Sequence, residues 1–128
     1  MLALSPIIVM RPLLLTLSSA CLILSSSALA QTISESQMRA ANMARMQAEV
    51  LNGGLRLYSP ADCMHQGGGG GCLLSNTLEG YRFRFLGGAP GWASRGEQAT
   101  IETVVLVSPD AKTSRVEYNG PVRGVINP

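Results

Sequence analysis

The first thirty residues stand apart from any globular fold. An apolar core from Leu13 to Leu24 is followed by the small-x-small tripeptide Ala28-Leu29-Ala30, the pattern a signal peptidase cuts. Arg11 supplies the positive charge ahead of that core, and Met10 directly before it is the expected initiator. Two other readings of residues 1–30 are weaker. An uncleaved anchor wants roughly 20 predominantly apolar residues, and Pro12 together with Thr16 and the serines at 18, 19 and 25–27 interrupts such a run. Lipid attachment at Cys21 has the small residues Ser19-Ala20 before it, but Leu17 stands one position too far ahead and the apolar core continues past the cysteine. Residues 1–30 are therefore expected to be a signal peptide, and residues 31–128 a single small exported domain, periplasmic or secreted.

What remains is 98 residues (128 less 30). A chain of that size buries only about two-thirds of its unfolded surface, so a covalent staple adds usefully to its stability. Two cysteines are left, Cys63 and Cys72, and an even count in an exported chain predicts a disulfide. Met64-His65-Gln66 and five glycines, Gly67 to Gly71, lie between them and read as a flexible tract able to close the ring. The charge balance is near neutral: net +2 for the whole chain, +1 once Arg11 is lost with the leader. That gives no electrostatic reason to expect nucleic acid or an anionic membrane as partner. Membrane contact is expected only where the leader is uncleaved.

Along the domain, Ser34 followed by Gln37 has capping-box spacing and opens a helix. Ala40, Met43, Met46, Gln47, Val50 and Leu51 fall on one side of it, and Asn52-Gly53-Gly54 stops it. Met38, Met43 and Met46 read as core packing in preference to a soft binding surface. Leu55 to Tyr58 is expected to run extended before Ser59-Pro60, and Leu73-Leu74 to form a short strand ended by Ser75-Asn76. Tyr81, Phe83 and Phe85 alternate with Arg82 and Arg84, the period of a half-buried strand. Gly87 to Trp92 reads as a turn-rich loop. Ile101 to Val107, rich in β-branched residues, is expected at the centre of a sheet. Ser108-Pro109-Asp110-Ala111 turns the chain, and Arg115 to Tyr118 returns antiparallel until Asn119-Gly120-Pro121. The fold class expected is α+β, an N-terminal helix packed on a three- to four-stranded antiparallel meander sheet.

Few residues point to chemistry. Cys63, Met64, His65 and Cys72 include metal-ligand types, but there is one histidine in the chain and a disulfide consumes both thiolates. A catalytic redox pair sits close together at a helix start, whereas nine positions separate these two. Gly67 to Gly71 lacks the lysine and hydroxyl of a phosphate loop. No G-x-S-x-G occurs, and His65 is the only conventional general base. No cofactor, no metal and no catalytic residue is expected. Trp92, the single tryptophan, follows Pro90-Gly91 and is the candidate surface anchor, against the alternative that it folds back over the end of the sheet.

Four segments carry a resemblance: Ala48 to Leu55, Gly87 to Gly91, Thr100 to Thr103 and Tyr118 to Pro121. Through them the chain resembles small exported proteins of marine picocyanobacteria over most of residues 35–123. The resemblance implies export and a compact domain, and no activity. In architecture the chain is similar to cystatin-like or PepSY-like modules, although the cystatin motif is absent. The expected role is non-enzymatic, binding or structural, at the cell envelope, with a protein or peptide as partner. The alternatives are a metal or redox protein built on Cys63, His65 and Cys72, and a membrane-tethered subunit.

Overall fold

The computed structural model describes residues 32–124 together with Ala3; the expected leader, its cleavage site and Cys21 lie outside the described residues. One helix, α1 (Glu35–Leu51), precedes β1 (Ser59–Pro60), two 3₁₀ turns (Asp62–His65 and Gly67–Cys72), β2 (Leu73–Thr77), β3 (Gly80–Gly88), β4 (Ile101–Val107) and β5 (Ser114–Pro121). The strands form one antiparallel sheet, with β2 to β5 in meander order and α1 lying across one face. The α+β class and its meander are as the sequence indicates. The fifth strand is the two-residue β1, which pairs with Gly87 and Gly88 at the far end of the same β3 edge that β2 occupies.

Both ends of α1 are set locally. The Ser34 hydroxyl accepts from the Gln37 backbone N–H at 3.1 Å, relieving one orphan donor of the first turn. The reciprocal half of the capping box is missing, because the Gln37 side-chain amide donates instead to the Gly68 carbonyl at 3.1 Å. At the other end Gly53 and Gly54 have φ of 95° and 87°, and their N–H groups bond to Val50 and Glu49 carbonyls. That pair of bonds is the Schellman arrangement, which favours glycine for its left-handed residues.

The face that α1 buries is not the one its methionines suggest. Ala40, Ala41, Ala44 and Ala48 are the buried residues, whereas Met38, Met46, Val50 and Leu51 are exposed and Met43 is half-buried. At 3.6 residues per turn the alanine stripe and the methionine–valine stripe lie roughly a third of a turn apart. The alanines win because the space beneath the helix is already filled. Tyr81, Phe83 and Phe85 project from β3, and Val105 and Val107 from β4, so only short side chains let the helix approach.

The glycine tract is a packed wedge and not a flexible tether. Gly68 and Gly69 are buried, and Gly68, Gly69 and Gly70 have φ of 66°, 84° and 48°. A Cβ on Gly69 would fall 2.6 Å from the Phe83 ring and 3.5 Å from the Ala41 methyl. At Gly68 and Gly69 the tract runs between helix and sheet, where no larger residue fits.

Other local expectations are corrected by pairing. Leu55 to Leu57 turn instead of extending, because the Leu57 and Tyr58 N–H groups both donate to the Gly54 carbonyl at 3.0 Å. Ser75 and Asn76 do not end β2; they pair with Arg82 and Tyr81, and the turn comes at Leu78-Glu79. Gly87 and Gly88 belong to β3, where β1 supplies their partners. Asn119-Gly120-Pro121 likewise continues β5, opposite Thr103, Glu102 and Ile101. β4 is central as expected, flanked by β3 and β5.

Candidate functional site

Cys63 and Cys72 are joined in a disulfide with their Cα atoms 5.7 Å apart. The bridge closes the first 3₁₀ turn onto the end of the glycine wedge, so it locks the element on which α1 rests. Both sulfurs are thereby spent. His65 is exposed, and its Nδ1 lies 3.0 Å from Arg45 Nη1. Guanidinium nitrogens only donate, so Nδ1 is the acceptor there and faces a cation. Among the described residues no three of His, Cys, Asp and Glu come together as a metal-holding group. Cys63, His65 and Cys72 are therefore neighbours in the fold but offer a metal no free thiolate.

Trp92 is half-buried. Its indole N–H donates to the Ser59 carbonyl at 3.0 Å, and its ring packs on Gly88, where a Cβ would lie 3.1 Å away. The tryptophan thus ties the loop after β3 to the short β1. With Ser59, Pro60, Asp62 and Ser94 it lines a depression of about 210 Å³.

The outward side of α1 carries the larger hollow, about 480 Å³. Met43, Met46 and Val50 line it with Ala111, and Arg39 stands at its N-terminal end. Ala111 reaches it through a left-handed backbone (φ 55°) at the β4–β5 turn, held by an Ala111 N–H bond to the Ser108 carbonyl at 2.8 Å. Asn42 and Gln47 complete the lining, so the walls are mixed, largely apolar with an amide pair and one guanidinium, and hold no nucleophile or general base; the hollow offers contact area and not chemistry. The sequence assigns these methionines to the core; Met43, half-buried, does pack against it, whereas Met46 is exposed. The competing alanine stripe at positions 40, 44 and 48 was the signal that pointed the other way.

The sheet face opposite α1 holds a charged cluster that the sequence did not announce. Glu102 is only 1 % exposed, yet it accepts from Arg84 Nε at 2.9 Å, Arg123 Nη2 at 2.7 Å and the Arg123 backbone N–H at 2.9 Å. Arg123 also stacks over the Tyr118 ring, 3.6 Å from its centroid. The Arg123 side chain, then Arg84, hold the Glu102 carboxyl down at a pKa of about 2 against the opposing effect of burial. The folded value lies below the unfolded one, so this carboxylate stabilises the fold above the ordinary carboxylate range. That contribution is lost as pH falls from about 4.5 through about 2. Glu102→Gln is expected to remove about 1–2 kcal/mol at neutral pH, because water screens the two half-exposed arginines. Urea unfolding from pH 7 to pH 2 checks it: the wild type should lose its advantage over the variant in that acid window, and a gap independent of pH would refute the assignment.

Comparison of the chain with family models, curated proteins and solved structures finds no match in any of the three. Among the described residues no helix is long and apolar enough to cross a membrane.

Proposed function

We propose that this chain is an exported domain with a non-enzymatic binding role at the cell envelope, matured by removal of residues 1–30. The single observation that supports it best is the Cys63–Cys72 disulfide, because such bridges persist in oxidising compartments and are rare in reducing ones. The leader pattern ending at Ala30 agrees with that address. A binding role is supported by the apolar side chains that α1 leaves exposed.

The test is the state of the protein recovered from cells. N-terminal sequencing is expected to start at Gln31, and alkylation without reductant is expected to label neither Cys63 nor Cys72. Recovery of the intact leader with both thiols reactive would overturn the proposal. Recovery of the leader with the bridge formed would instead favour the tethered subunit.

A further inference from the structure

Two asparagines fasten the end of α1 to β5. Asn52, the C-cap of α1, donates through Nδ2 to the Ala48 carbonyl at 2.7 Å and to Asn119 Oδ1 at 3.1 Å. Asn119 Nδ2 returns to Asn52 Oδ1 at 3.0 Å, and the Thr103 hydroxyl donates to Asn119 Oδ1 at 2.8 Å. A carbonyl only accepts, so the Ala48 oxygen fixes which way the Asn52 amide points, and Asn52 then fixes Asn119. The clasp joins residues 67 positions apart. It holds only while both side chains remain amides.

Both are also followed by glycine, and no other asparagine of the chain is. Such a sequence carries its own nucleophile. The glycine nitrogen can attack the asparagine side-chain carbon, because glycine has no Cβ to crowd the approach. The two sites differ in what restrains that nitrogen. Gly120 lies inside β5 with Glu102 opposite it on β4. Gly53 is exposed at the helix end, and its N–H reaches the Val50 carbonyl at 3.4 Å, against 2.7 Å for the next bond of the cap. Conformation is what protects Asn52. At a ψ of 17° the Gly53 nitrogen is turned away from the Asn52 Cβ. The ring can close only after that peptide swings round and the Asn52 side chain leaves Asn119.

We propose that Asn52 is a deamidation site gated by this clasp. The only co-reactant is water. The Gly53 nitrogen bonds to Asn52 Cγ, the Cγ–Nδ2 bond breaks, and the proton that the Gly53 nitrogen gives up leaves with the side-chain nitrogen as ammonia. Water then opens the succinimide at either carbonyl, leaving aspartate or its β-linked isomer at position 52. The product has no donor for Ala48 or Asn119, and it sets a negative charge at the negative end of the helix dipole. Deamidation therefore undoes the clasp for good.

The test is peptide mapping by mass spectrometry of the full chain, held at mildly alkaline pH in heavy-oxygen water, both folded and in urea. Heavy oxygen incorporated at position 52 marks conversion during the incubation. In the folded wild type Asn52 is expected to convert ahead of Asn119, and both are expected to convert faster in urea. Asn76, exposed but followed by threonine, should stay intact. Asn119→Ser removes the return bond and should speed conversion at Asn52 about fivefold, the factor that one ordinary hydrogen bond makes in a local opening equilibrium. Should that variant fail to fold, the wild type in urea below its midpoint takes its place: conversion at Asn52 should rise before unfolding begins. An Asn52 that converts only in the unfolded chain overturns the site, as does Asn119 converting first. Equal rates in the wild type and a folded Asn119→Ser overturn the gate.

Discussion

Alanine at Gly69 is expected to lower the stability of this domain by roughly 2–5 kcal/mol. Two penalties combine. The residue has φ of 84°, a left-handed conformation that costs an L-residue about 1–2 kcal/mol. Its new Cβ would also lie 2.6 Å from the Phe83 ring, and Phe83 is wholly buried, so the ring cannot swing aside without disturbing Ala41 and the helix above. A neighbouring glycine supplies the control. Gly71 has no positive φ and open space around it, so Gly71→Ala is expected to stay within about 0.5 kcal/mol of the wild type. Urea midpoints of the two variants, measured side by side, check the argument. Equal midpoints would mean that the tract is not wedged between helix and sheet.

Removing the disulfide by Cys63→Ser with Cys72→Ser is expected to cost about 2.5–3 kcal/mol, the loop-closure value for a ring of about ten residues. The open chain gains more freedom than usual, since half of the ring is glycine. The wild type should melt lower in reductant by the same amount, and the double variant should not respond to reductant at all. A wild type indifferent to reductant would show that packing of the wedge alone holds the ring. Because Gly69 and the bridge belong to one element, Gly69→Ala combined with the cysteine variant is expected to depart from additivity.

Much of the fold is legible because its signals are local. Ser34 caps α1, and Gly53-Gly54 ends it, through bonds within a few residues. The alternation of Tyr81, Phe83 and Phe85 with arginines reports β3 directly, since side chains alternate along any strand. The run from Ile101 to Val107 is central because it is apolar on both faces near its end. The errors lie where a distant partner overrides a local signal. Ser75-Asn76 looks like a break until Arg82 and Tyr81 are found opposite. Nothing in the run Ile101 to Val107 singles out Glu102, whose burial comes from Arg84 of β3 and Arg123 beyond β5 closing over it.

The candidate surface shows the same division. α1 has two stripes that can each be buried, one of alanines and one of methionines and valine, and hydrophobicity alone favours the second. Periodicity specifies that a helix exists and which residues share a side; it does not say how much room lies beneath. That room was settled by Phe83, Phe85 and the backbone of Gly68 and Gly69, against which the fully buried positions of α1 are all alanines, with Met43 packing at the margin. Helix, strands and the pairing of Cys63 with Cys72 were determined by the amino-acid order itself, through forces acting within a few residues or between cysteines nine positions apart. Which side of α1 meets solvent, the rigidity of the glycine tract and the burial of Glu102 were decided by volumes and charges brought together from remote parts of the chain, which no local pattern encodes.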